Sequence, residues 1–277
     1  MKQLFLELKR PLSVPTAADG ISPDVLAERS LEEIGRLEMW EGNRRVSLAE
    51  IFTTRGETGD TASELSVVVC GDMRKMRRLG YKMKSGMLRI EGHAGMYVGE
   101  EMCGGSISIE GSAGSWVGSK MTGGTIEVHG DAGDHIGAAY RGSRDGMRGG
   151  QIVVHGNAGV EAGCWMKEGI IRIKQNAGMF PGIHMGGGLV LIEGDCDGRA
   201  GAGMTGGRVV IRGRMENVLP SFTIEEIRDR VRVGEERIEG PFYVFQGDVG
   251  GAAKGRVFVS VTGNPQLKWC EKYLETW

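Results

Sequence analysis

The sequence predicts a mainly β fold, a right-handed parallel β-helix (solenoid) of about seven coils. Three observations predict it. A 19-residue unit recurs along the middle of the chain, starting at residues 87, 106, 125, 151, 170 and 189. Positions 2 and 4 of every unit are branched or aliphatic, as in Leu88/Ile90, Ile107/Ile109 and Ile126/Val128, with polar residues between them. Positions 13 and 19 are glycine in all six units, as at Gly99 and Gly105. The alternation is that of a short strand with one buried face. Glycine at such close intervals excludes helices of useful length. A strand of this size finds no core alone, so units at a constant period are expected to stack in register.

Taken in order, residues 1–64 form a small α+β N-terminal cap. LFLEL (4–8) alternates as a strand, Ser30…Glu33 and Ser47…Glu50 match capping boxes that open short helices, and Glu41-Gly42-Asn43 marks a turn. Residues 65–213 form the β-helix, with a degenerate unit at Leu65 and a last partial one at RVVIRG (208–213). The unit starting at Thr125 is 26 residues long and carries an insertion within AAYRGSRDGMRGG (138–150). Residues 214–277 form a β-rich C-terminal cap, in which TIEEIRDRV (223–231) reads as a helix and FYVFQG (242–247) and RVFVSV (256–261) read as strands. Caps are expected because a stack of strands exposes unpaired edges at both ends.

The 277 residues carry a formal net charge of −2, which gives no global attraction to nucleic acid or to an anionic membrane. The basic knot RKMRRLGYKMK (74–84) is local, and reads as a solvated face or a salt-bridged contact with another subunit, with nucleic-acid binding as the alternative. No apolar run is long enough for a spanning helix, and MKQLFLELKRP lacks the apolar core of a signal peptide. The five cysteines are scattered without a C-x-x-C pair, which suits reduced thiols and a cytoplasmic location.

Methionine recurs at position 16 as Met83, Met102, Met121, Met147, Met166, Met185 and Met204, a structural ladder of flexible core filler. No catalytic constellation is present, so no catalytic residue and no metal site are expected. Gly201-x-Gly203-x-x-Gly206 matches a dinucleotide fingerprint, but in glycine-rich sequence without a following helix it carries little weight. His129 and His155 share position 5 of adjacent units; they would hold a metal only if a carboxylate joined them, and read otherwise as an exposed pair. His93, His135 and His184 fall at three other positions. The insertion is the one irregularity, and loops on a rigid scaffold are where recognition concentrates. Its Tyr140, Arg141, Arg144 and Arg148 are the candidate partner contacts, tyrosine and arginine being favoured interface anchors.

Written as G-x-x-M-x-x-G-x-[ILV]-x-[IV]-x-G, the unit resembles the 13-residue motif of the C subunit of formylmethanofuran dehydrogenase. It stands here as GYKMKSGMLRIEG (80–92), GEEMCGGSISIEG (99–111), GSKMTGGTIEVHG (118–130), GIHMGGGLVLIEG (182–194) and GAGMTGGRVVIRG (201–213). Two copies depart, RDGMRGGQIVVHG (144–156) at its first residue and GCWMKEGIIRIKQ (163–175) at its last. YRGSRDGM, PGIHM (181–185) and GPFYVFQGD (240–248) extend the likeness over nearly the whole chain. The glycine-rich C-terminal domain of glutamate synthase is a more distant likeness, limited to the coils.

The resemblance implies a non-catalytic scaffold subunit of a complex that reduces CO2 and fixes it as formylmethanofuran, the first step of methanogenesis, with ferredoxin-linked electrons. It implies no cofactor bound by this chain. Tungsto- or molybdopterin, iron–sulfur clusters and zinc are expected in the partner subunits, namely the pterin-binding, iron–sulfur and amidohydrolase chains. The C subunit of the formyltransferase/hydrolase complex of methylotrophs is the second reading, and an independent β-helix enzyme or binding module the third.

Overall fold

The computed structural model describes residues 1–250 and 254–274; the end of the 214–277 segment, 275–277, and residues 251–253 lie outside the described residues. The described residues are mainly β, with three short α-helices and one large, mostly parallel sheet of thirteen strands.

The alternating segments form the strands expected of them. Met87–Glu91, Cys103–Ile109, Gly123–Val128, Arg148–Val154, Glu168–Ile173, Leu189–Ile192 and Arg208–Ile211 pair consecutively and in parallel. Register is set by the buried face: Ile107 lies opposite Ile126, Ile126 opposite Ile152, and Ile152 opposite Ile171. A one-residue slip would turn every one of these to solvent. Parallel bridges form a second line at position 8, joining Met73 to Ala94 and running from Ala113 through Ala132, Ala158, Ala177 and Cys196 to Met215. All seven methionines of the ladder are fully buried.

A third line links the units through side chains. The position-7 residue accepts a hydrogen bond from the backbone N–H of its counterpart one unit on: Ser112 N–H donates to His93 Nδ1 (3.0 Å), Asp131 N–H to Ser112 Oγ (3.1 Å), and Asn157 N–H to Asp131 Oδ1 (2.7 Å). Asn176, Asp195 and Arg214 continue it. Short side chains with an oxygen acceptor satisfy turn N–H groups that the strand ladders leave over.

Both ends extend the sheet. Lys2–Leu8 pairs parallel with Leu65–Cys70, and Phe52–Gly56 closes that edge antiparallel. Helices Leu31–Gly35 and Leu48–Ile51 follow their capping serines; Ser30 N–H and Ser47 N–H each reach the downstream glutamate at 2.8 Å. At the other end Gly255–Ser260 adds in parallel to Arg208–Ile211. The expected helix at 223–231 is instead part of strand Thr223–Val233, which pairs antiparallel with Glu236–Gly247. Ile224, Ile227 and Val231 satisfy helical spacing, but the long partner strand decides the outcome. Val231, Val233, Ile238, Phe242 and Val244 of this hairpin cluster with Leu189, Leu191, Val210 and Phe258, so the outward residues of the last units are buried. Arg172 ties the hairpin down, bonded to Glu193 (2.6 Å) and to Glu236 (2.9 Å).

Among the described residues, three of the six cations of the basic knot are ion-paired within the chain. Arg74 pairs with Asp72, Arg78 with Glu100 and Asp19, and Lys82 with Glu101. Glu100 is buried, and burial raises its pKa against the lowering pull of Arg78.

Candidate docking surface

Two positions of the unit place non-glycine residues in the left-handed region. At position 11 these are Tyr97, Trp116, His135, Glu161, Phe180 and Arg199, with φ between 56° and 64°. At position 15 they are Glu101, Lys120, Trp165 and His184. Such backbone is unfavourable for bulky residues and persists where the surroundings fix it. Here the surroundings include a hydrogen bond to the next unit that recurs at most of these positions, as Tyr97 N–H to Ser115 O (2.9 Å) and Trp116 N–H to Asp134 O (2.8 Å).

The side chains at these positions form two aromatic and charged rows. Tyr97 stacks on Trp116 at 5.3 Å between ring centroids, and Trp116 meets His135 at 4.4 Å. His135 Nδ1 lies 3.3 Å from Glu161. In the other row Trp165 stacks on His184 at 4.6 Å. His135 and His184 thus join separate rows and His93 the position-7 line.

The insertion bridges the rows. In a regular unit the position-16 methionine N–H donates to the position-13 glycine carbonyl, as Met121 to Gly118 (3.1 Å). The same bond is kept across the insertion, Met147 N–H to Gly137 O at 2.8 Å, so the extra residues are put out without disturbing the register. Tyr140 lies 6.0 Å from Tyr97 and beneath the Lys120 ammonium (4.6 Å to its ring). Arg141 and Arg144 are exposed, and Arg144 sits 5.4 Å over the Trp165 ring. Arg148 pairs with Asp145, which also accepts from Lys167 (2.7 Å). These two cations hold Asp145 down at about 2. The structure therefore brings Tyr140 and Arg144 onto the two rows, engages Arg148 in an internal ion pair, and leaves Arg141 in solvent. Tyr140 Oη and Trp116 Nε1 are buried without a hydrogen-bond partner. Neither row is evident in the sequence, because the residue type changes at each step; only the common offset of 19 could have revealed them.

The five cysteines are free and share no position of the unit. Burial pushes the Cys164 thiol up to about 12 and those of Cys70, Cys196 and Cys270 up to about 11. Gly201, Gly203 and Gly206 precede strand Arg208–Ile211, not a helix, and so lack the context of a dinucleotide site. No helix among the described residues is long and apolar enough to cross a membrane.

Comparison with known proteins places these features. The chain is 39% identical over 98 residues to the C subunit of molybdenum-containing formylmethanofuran dehydrogenase 1 of Methanosarcina barkeri, a match covering 35% of this chain and 33% of that protein. It is 40% identical over 99 residues to the C subunit of tungsten-containing formylmethanofuran dehydrogenase 2 of Methanothermobacter marburgensis, covering 36% and 37%. The chain is a homologue of the formylmethanofuran dehydrogenase C subunits. The matched stretch spans about a third of the length of these relatives. A chain in the crystal structure of the formyltransferase/hydrolase complex from Methylorubrum extorquens with methylofuran matches with a TM-score of 0.82 and 28% identity, over 92% of this chain and 99% of that one. No protein-family profile matches.

Proposed function

We propose that this chain is a non-catalytic scaffold subunit of a formylmethanofuran dehydrogenase complex, the cytoplasmic oxidoreductase that reduces CO2 and fixes it as formylmethanofuran. The observation that carries the reading is the identity of about 40% to the C subunits of both the tungsten and the molybdenum enzymes. In this reading the units wind as a right-handed parallel β-helix between an N-terminal cap (1–64) and a C-terminal cap (214–277). The 19-residue offset of both bridge lines and of the position-7 hydrogen bonds supports it. In this reading the pterin, iron–sulfur and zinc centres belong to partner chains.

The surface offered to those partners is the pair of rows bridged by the insertion. It combines rigid aromatic rings with cations, the composition of interface hot spots. Arg141→Glu with Arg144→Glu is expected to weaken assembly without shifting the unfolding midpoint of the isolated chain. Size-exclusion chromatography of the co-expressed complex checks this, and intact assembly would remove the insertion from the interface.

A second reading, a subunit of a formyltransferase/hydrolase complex that transfers formyl groups without redox chemistry, is favoured by the match over 99% of the chain from that assembly. Metal analysis of the native complex separates the two: tungsten or molybdenum is expected, and absence of both would sink the dehydrogenase assignment.

A further inference from the structure

Glu127, His129 and His155 meet on the outer face of the sheet. Glu127 and His129 are two residues apart along one strand line, so both point to the same side of it. His155 occupies the position of His129 one unit later, and both backbones are pinned to the preceding strand, His129 N–H to Ile109 O (2.9 Å) and His155 N–H to Val128 O (2.8 Å). The imidazoles stack with centroids 4.9 Å apart and planes 20° from parallel. The carboxylate that the histidine pair requires is present: His155 Nε2 lies 2.7 Å from Glu127 Oε1. One ligand atom from each of the three residues falls within 4.8 Å of the other two.

We propose that these three residues bind a divalent transition-metal ion. Two imidazole nitrogens and one carboxylate oxygen form a donor set for zinc, copper or nickel, and not for magnesium or calcium, which demand oxygen. With bonds of about 2.0–2.2 Å, ligand atoms around a tetrahedral ion stand about 3.3–3.6 Å apart, so the Glu127–His155 contact opens by under about 1 Å and the stacked rings turn until each aims a nitrogen at a common point. Glu127 lies within strand Gly123–Val128, and His129 and His155 directly follow strands Gly123–Val128 and Arg148–Val154, so the backbone bonds at the strand ends hold the three Cα positions. The neighbours at the same register do not compete. Glu110, just after the preceding strand, is engaged by Arg89 at 3.1 Å, and Lys174, just after the following one, by Glu193 at 2.9 Å. Glu127 also forms one wall of an open cleft of about 380 Å³, lined by Ser106, Ser108, Thr125 and Gln151. Three protein ligands beside such a cleft leave a coordination position for water or an exchangeable ligand.

The full-length chain, stripped with chelator, is titrated with Cu2+ alone and followed by calorimetry and electron paramagnetic resonance. The expected result is one saturable site whose spectrum carries coupling to two imidazole nitrogens. His129→Ala with His155→Ala should abolish that coupling and site, and Glu127→Gln should weaken binding at least tenfold. Zn2+ should compete for the site and Mg2+ should not. All variants are expected to keep the wild-type unfolding midpoint in chelator, because the residues lie on the surface. No saturable uptake by the wild type, or uptake undiminished in the double histidine variant, would overturn the proposal.

Discussion

Replacing Met121 by alanine is expected to lower stability by about 2–5 kcal/mol, the range for truncating a large buried side chain. Met121 is fully buried, with Met102 and Met147 at the same position of the units on either side. Its terminal methyl lies directly where the neighbouring unit lacks a side chain: a Cβ placed on Gly150 would come within 2.7 Å of Met121 Cε. The relation repeats, with Met102 beneath Gly124, Met147 beneath Gly169 and Met166 beneath Gly188. The methionine and glycine ladders are therefore one interlocked feature, in which each unbranched side chain fills the space left by the next glycine. Truncation leaves a void that the flanking strands cannot close, since their register is fixed on both sides by Ile107, Ile126 and Ile152. Urea unfolding measures the effect, with the midpoint falling and the slope unchanged. An unmoved midpoint would mean that the ladder contributes no packing.

How much of this was legible in the sequence depends on whether residue type or only residue position repeats. Ile107, Ile126, Ile152 and Ile171 repeat in type, so strand, buried face and register could all be read from them. The rows through Trp116 and Trp165 repeat only in backbone conformation, and no propensity points to φ near 60° for tryptophan. The position-7 line lies between these cases. Ser112, Asp131, Asn157, Asn176 and Asp195 differ in name but share a short side chain with an acceptor, a pattern visible once sought. The strand at Thr223–Val233 reads as a helix because its local spacing fits one and its partner strand leaves no mark on that spacing. The run Leu189–Ile192 carried a hint of that hairpin: it is apolar on both faces, where Ser106–Ile109 alternates, and so calls for a cover on its outer side. The meeting of Glu127 with His155 was out of reach, because it depends on side-chain rotamers across two strands.

Gly150→Ala is expected to cost about 2–5 kcal/mol, and the size follows from two separate penalties. The backbone there has φ of +84°, where a Cβ costs roughly 1–2 kcal/mol. That cost alone does not explain the glycine, since Tyr97, Trp116 and Lys120 accept positive φ values of their own. What distinguishes Gly150 is space: a Cβ would stand 2.7 Å from Gly124 O, 2.7 Å from Met121 Cε and 3.0 Å from Gly123 C. Overpacking of this kind adds about 1–3 kcal/mol. The methionine is flexible and can move, whereas the two backbone atoms are held by the parallel ladder. Combining Gly150→Ala with Met121→Ala separates these contributions. The double variant should be less destabilised than the sum of the single ones, by about 0.5–3 kcal/mol, because the alanine methyl partly refills the void left by the methionine. It should still fall below the wild type, because the contacts with Gly124 O and Gly123 C remain. Strict additivity in the urea midpoints would show that the two ladders pack independently, and the interlock inferred from their geometry would fail.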